Sequence, residues 1–229
     1  MKHIIISGGS YAPAHKGHLN NWITAIDQYL IYLKKKDRTI KLKDILLLVI
    51  PVADSYKKSS IKSVTYKQRV KLLNLLLRHA PKYDIKIEHV HKNKILDTYS
   101  EIKYIENKYK INPIVLFGAD NIIGAIGKSW NLSDSNMKKL FHNHVFICSC
   151  SYNKNDARGY CPYLKRKFNK VMKNKNINSQ LITFKIRSGQ SNISSTNIIN
   201  NIQNDKYDKL SKMLYQDQIS YVKKHKLWK

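Results

Sequence analysis

The stretch His3-Ile4-Ile5-Ile6-Ser7-Gly8-Gly9-Ser10-Tyr11-Ala12-Pro13-Ala14-His15-Lys16-Gly17-His18 carries a short apolar run straight into a glycine turn. The run is too short for the apolar core of a signal peptide and reads as a buried first strand. Without a Cβ, Gly8 and Gly9 let the backbone turn tightly and approach a phosphate, while the helix that follows offers free N–H groups to an anion. His15 and His18, three residues apart at the start of that helix, share one face. Both imidazoles can therefore point at the same triphosphate and donate hydrogen bonds where charge develops. A glycine turn also serves any tight strand-to-helix connection, and paired histidines near a helix cap have other uses.

Outward from this turn, Leu19 to Lys36 carries Trp22, Ile23, Ile26, Leu30 and Leu33 at helical spacing, and Asp44 to Ile50 is an apolar run of strand length. The three pieces form a βαβ unit. Lys34-Lys35-Lys36 ends the helix with cations that oppose its negative dipole end. Thr65 to His79 repeats the helical pattern, Asp84 to Val90 alternates as a strand does, and Asp97 to Lys108 is again helical. Pro113 to Phe117, His144 to Cys148 and Leu181 to Ile186 read as further strands. Strands alternating with helices predict an α/β, Rossmann-like, doubly wound and mainly parallel sheet with helices on both faces, whose ligands bind at the carboxyl ends of the strands. Thr196 to Ile202 and Ser211 to His225 are helical with no strand between them. Residues 1–229 are thus expected to form one domain, with an α/β core over 1–190 and a helical cap over 191–229.

The 229 residues include 42 Lys and Arg against 15 Asp and Glu, a formal charge of +27, with 42% hydrophobic residues. That composition excludes an acidic disordered chain and supplies a core. No apolar stretch approaches the roughly 20 residues of a membrane span. The positive charge raises nucleic acid as a partner, but the lysines are scattered through most helices and loops, as in a chain-wide compositional bias, which favours a solvated basic surface. Cys148, Cys150 and Cys161 lack metal-ligand spacing, so reduced thiols in the cytoplasm or nucleus are expected.

Two more segments carry chemistry. Pro51-Val52-Ala53-Asp54-Ser55-Tyr56-Lys57-Lys58 follows the second strand directly; taken alone it reads equally as a solvated loop or as a loop one of whose lysines returns to a phosphate as a point charge. In Ile193-Ser194-Ser195-Thr196 three hydroxyls precede a helix, where they suit an N-cap and a phosphate equally.

Taken in order, these segments resemble the HxGH, PVxDxYxK and ISSTxIR motifs of the nicotinate/nicotinamide mononucleotide adenylyltransferases. Gly118-Ala119-Asp120 followed by Trp130 is similar to that family's GAD-to-Trp segment, Asp97-Thr98 to its acidic-Thr pair in a nicotinyl-binding helix, and Leu214 to Leu227 to its closing helix. The chain departs from the family at Ala12, where Asp or Asn is common, at Ile199, where Arg is common, and at Ile95, where some relatives carry an aromatic stacker. An aliphatic side chain cannot bind phosphate, which leaves Lys57 and Lys58 as the nearby cations.

The resemblance implies adenylyl transfer from ATP to nicotinate mononucleotide, with nicotinamide mononucleotide as an alternative acceptor, in NAD biosynthesis. It implies His15 and His18 as catalytic residues. Gly8, Gly9, Ser10, Tyr11, His15, His18, Lys58, Gly118, Asp120, Ser194, Ser195 and Thr196 would contact ATP, and Ser10, Tyr11, Lys58, Thr98 and Trp130 the mononucleotide. Mg²⁺ would arrive on ATP oxygens, with no protein ligand named. Trp130 also fits a core or rim aromatic. Homo-oligomerisation stays open. Two alternatives belong to other classes: transfer of AMP or CMP to another phosphorylated acceptor, and a basic nucleic-acid-binding protein on a degenerate nucleotidyltransferase scaffold.

Overall fold

The computed structural model describes residues 3–56, 58–91, 97–127, 130, 132–150, 160–185 and 193–229. Its strands are β1 (His3–Gly9), β2 (Ile45–Pro51), β3 (Asp84–Ile87), β4 (Ile114–Gly118), β5 (Val145–Cys150) and β6 (Gln180–Lys185). The helices are α1 (Lys16–Lys34), α2 (Tyr66–Leu77), α3 (Thr98–Tyr109), α4 (Ala119–Ile126), α5 (Asp134–Phe141), α6 (Cys161–Asn174), α7 (Ser195–Gln203) and α8 (Gln216–Lys224). Short 3₁₀ turns cover Leu42–Asp44, Ser59–Ile61 and Tyr207–Lys212.

The six strands form one parallel sheet in the order β3-β2-β1-β4-β5-β6. Ile5 pairs with Ile114, Leu116 with Ile147 and Cys148 with Thr183. All seven residues of β2 are buried, and a parallel strand covered on both faces reads as an unbroken apolar run for that reason. This is the doubly wound order, which reverses between β1 and β4.

Cα packing divides the chain into two compact units. One comprises Met1–Ser7, Thr24–Leu47 and Leu96–Ile186, the other Gly8–Ile23, Leu48–Ile95 and Arg187–Lys229. The first has an aromatic centre in which the Phe146 ring lies 4.7 Å from Phe141, 5.5 Å from Phe117 and 6.4 Å from Phe168. In the second, Leu72 of α2 packs with Ile198 and Ile202 of α7, Ile219 and Val222 of α8, and Trp228. Fully burying each such side chain is worth about 1.5–3 kcal/mol.

Several boundaries differ from expectation for local reasons. Helix α1 begins at Lys16 rather than Leu19, because its first turn is built from loop residues whose apolar period has not yet started. The expected helix Ser211 to His225 is interrupted: the 3₁₀ turn ends at Lys212, and α8 restarts behind Tyr215, whose N–H donates to the Gln218 side chain. Strand β5 continues to Cys150, and Ile186 lies outside the described residues. Cys150 and Cys161 form a disulfide, leaving only Cys148 as a free thiol. This corrects the expectation of three reduced thiols: strand β5 and the first residue of α6 bring two cysteines eleven apart in sequence to a Cα separation of 5.3 Å.

Candidate functional site

Strand β1 runs through Gly9, so the sharp turn falls later than the glycines suggested, at Tyr11. Tyr11 adopts φ 47°, a left-handed conformation uncommon for a bulky residue, and is buried. Its ring stands edge-on to His18 (5.2 Å) and to Trp22 (5.5 Å). A Cβ on Gly9 would come within 2.9 Å of the Tyr11 ring, so the glycine is needed for close approach rather than for its backbone angle. A cis Ala12–Pro13 peptide then leads to the histidines.

His15 precedes α1 and is 5% exposed. Its carbonyl accepts the N–H groups of His18 and Leu19, which seats His18 one turn above it with the rings stacked at 3.7 Å. The His15 N–H in turn donates to Nδ1 of His18 at 3.3 Å. That bond leaves the His18 proton on Nε2, so the neutral ring presents a donor there. Burial, followed by the Lys58 ammonium, pushes His18 down to about 4. Burial and then His18 hold His15 well below the ordinary imidazole range. Both rings are neutral at pH 7. The His15 Nδ1 atom is buried without a hydrogen-bond partner among the described residues.

From the second segment, Lys58 donates to Ser10 Oγ at 3.2 Å, and Val52 N–H donates to the Gly9 carbonyl at 3.0 Å. Lys57 lies outside the described residues, as does Ile95. From the third segment, Ser194 caps α7 by accepting the Asn197 N–H, and Ser195 Oγ donates to the Pro13 carbonyl at 3.1 Å. The Thr196 side chain is exposed. The cap reading therefore holds for Ser194, while Ser195 ties α7 to the histidine loop. Gly8, Gly9, Ser10, Tyr11, His15, His18, Lys58, Ser194, Ser195 and Thr196 all belong to the second unit. Ala12 is fully buried in its apolar cluster and Ile199 packs against that cluster, so both departures from the family pattern are packing residues here.

Gly118, Asp120, Thr98 and Trp130 belong to the first unit. Gly118 precedes α4, and a Cβ there would lie 2.5 Å from Asp120 Oδ1, so the exposed carboxylate folds back over the glycine. The Trp130 ring is half-buried, edge-on to Phe117 at 6.0 Å. Thr98 opens α3, and Asp97 is its N-cap, accepting the Ser100 N–H at 2.7 Å.

Two residues without an assigned role in the sequence reading support the histidine loop. Gln218 is fully buried, and its Nε2 donates to the carbonyls of Ala14 and Leu72 at 3.0 and 3.1 Å. Arg69, also fully buried, reaches both Ser10 and Val52 with its guanidinium. Its signal was in the sequence: Arg69 falls on the same helical stripe as Leu72, Leu73 and Leu76, where a cation needs a reason.

Stacked imidazoles, a lysine and hydroxyls make a donor set for phosphate oxygens rather than for a hard cation, which takes oxygen ligands. Among the described residues no three His, Cys, Asp or Glu side chains gather as metal ligands, and no helix is long and apolar enough to cross a membrane.

No family model matches the chain. A nicotinic acid mononucleotide adenylyltransferase of Plasmodium falciparum, solved with NaAD, superposes with a TM-score of 0.67 over 100% of this chain and 98% of that one, at 17% identity. This chain has the fold of that enzyme. A Vibrio parahaemolyticus protein assigned as a nicotinate-nucleotide adenylyltransferase matches at a TM-score of 0.53 over 100% of this chain and 96% of that one, at 13% identity. In sequence, 109 residues are 30% identical to the "Probable nicotinate-nucleotide adenylyltransferase" of Vesicomyosocius okutanii subsp. Calyptogena okutanii (strain HA). That match spans 48% of this chain and 45% of the relative, less than half the length of either.

Proposed function

We propose that this chain transfers the adenylyl group of ATP to nicotinate mononucleotide. A 5′-phosphate oxygen of the mononucleotide bonds to the α-phosphorus of ATP, the bond to the bridging oxygen breaks, and pyrophosphate leaves. The reaction needs no protein nucleophile; it needs two anions aligned and the spreading charge stabilised. The observation that carries the reading is the neutral His15/His18 pair, with the His18 Nε2–H donor fixed by the His15 N–H at 3.3 Å in a loop that also holds Ser10 against Lys58. A neutral donor already oriented before substrate arrives costs little reorganisation as negative charge builds.

In this reading His15 and His18 hold the ATP phosphates, and Gly8, Gly9, Ser10 and Tyr11 present backbone groups to phosphate. Lys58 neutralises a phosphate shared between the two substrates. Ser194, Ser195 and Thr196 border ATP at the start of α7, with Gly118 and Asp120 serving its ribose. Thr98 and Trp130 serve the pyridine nucleotide. Mg²⁺ would arrive with ATP and would supply charge neutralisation at its phosphates, with no residue of this chain assigned to hold it. Residues 1–229 act as one nucleotidyltransferase domain. The +27 charge suits two anionic substrates, and the acid mononucleotide more than the amide. Purified protein given Mg-ATP and each mononucleotide tests this directly: dinucleotide and pyrophosphate appear together, fastest with nicotinate mononucleotide, and His15→Ala abolishes both.

A further inference from the structure

Arg69 stands 59 residues from Ser10 and 17 from Val52 in sequence, yet its guanidinium joins the loops that contain them. Nη1 donates to the Ser10 carbonyl at 2.9 Å; Nη2 donates to the Val52 carbonyl at 2.8 Å and to Asp54 Oδ1 at 2.9 Å. The side chain is wholly buried, whereas its carboxylate partner is half exposed, so Arg69 itself offers nothing to a substrate. Its Nε has no partner among the described residues. A buried cation kept at this cost has to supply something an apolar residue of the same volume would not. A planar fork matches three acceptors on two separate loops, which an ammonium on a flexible stem does not.

We propose that Arg69 is a positioning residue that sets the spacing of the β1–α1 and β2–α2 loops, and thereby places Lys58 against Ser10 and His18. Ser10 is the shared point: its carbonyl is held by Arg69 and its hydroxyl by Lys58 at 3.2 Å. Val52 and Asp54, held by the same guanidinium, begin the segment that ends at Lys58. A shift of about 1 Å in such a constellation is enough to cost on the order of 10²-fold in rate. The catalytic consequence rests on the proposed adenylyl transfer; the placement of Lys58 does not.

The Lys58 ammonium is one cause of the depressed His18 titration, so His18 reports where Lys58 sits. The experiment is a histidine NMR pH titration of ligand-free wild type, Arg69→Lys, Lys58→Met and the double variant, with kcat and KM for ATP measured on each. In Arg69→Lys the His18 titration moves up by ~0.5 unit or more toward that of Lys58→Met, and the double variant moves no further than Lys58→Met alone. Its kcat falls roughly 30-fold while KM for ATP changes by no more than about threefold. An unmoved His18 titration overturns the proposal, and so does a kcat within about threefold of wild type. Should Arg69→Lys fail to fold, Asp54→Ala removes one of the three anchors at a half-exposed side chain; a fall in kcat of about tenfold is expected and an unchanged kcat overturns the proposal. Wild-type protein that makes no dinucleotide refutes the adenylyl-transfer reading, and the titration then decides Arg69 by itself.

Discussion

The backbone N–H of His15 donates to Nδ1 of His18 across 3.3 Å, so one histidine of the pair selects the tautomer of the other. The donor left on His18 is then Nε2–H. A glutamine amide overlies Nε2 of an imidazole better than an asparagine amide does. His18→Gln should therefore keep more turnover than His18→Asn: about a tenfold loss in kcat for the first and on the order of 10²–10³ for the second. Steady-state kinetics of the two variants, with circular dichroism to confirm their folds, reads the difference. Equal losses would remove the tautomer argument.

The neutrality of His18 has a thermodynamic consequence. Its folded titration lies near 4 and its ordinary value is 6.5, so between these limits the unfolded chain takes up a proton that the folded chain refuses. Stability is fully present above pH 6.5, falls as pH drops through this window, and loses nothing further from this group below 4. Allowing for partial exposure, the loss is on the order of 2 kcal/mol, and His15 adds to it in the same direction. Denaturant unfolding at a series of pH values should show this acid limb, and His18→Gln should reduce it to the part that His15 contributes.

Gln218 is a structural tie with a measurable cost. Replacing it by leucine removes this donor from the carbonyls of Ala14 and Leu72. A loss of about 2 kcal/mol, or roughly 5 °C in Tm, is expected. Because Ala14 precedes His15, kcat should fall more than Tm alone explains, which comparison of the two readouts checks.

Thiol titration tests the cysteine arrangement. Denatured without reductant, the chain should titrate one thiol, Cys148, and after reduction three. In the native protein Cys148 should resist alkylation, because burial, with the Asp120 carboxylate second, pushes its thiol up and away from the reactive thiolate.

The parallel sheet was legible because strands covered on both faces leave continuous apolar runs, as in Ile45–Pro51 and Ile114–Gly118. The order of the motifs along the chain pointed to the histidine loop because its chemistry sits in consecutive residues. Arg69 stood out as a cation on an apolar helical stripe, but its role was not legible, since two of its three partners are backbone carbonyls of distant loops, and a carbonyl leaves no trace in residue identity. The same holds for the Ser195 bond to the Pro13 carbonyl. The break before α8 was hidden by an apolar period that continues through Tyr215 even though the hydrogen-bond pattern does not. The cysteine pairing was missed because spacing alone does not say that a strand end and a helix start will meet.

The most direct measurement is dinucleotide formation by the purified chain from Mg-ATP, run side by side on nicotinate and nicotinamide mononucleotide with His15→Ala as the control. Stoichiometric dinucleotide and pyrophosphate, faster with the acid and lost in the folded variant, is the predicted result. Folded wild-type protein that forms no dinucleotide from either acceptor, or a His15→Ala variant that turns over like wild type, would contradict it.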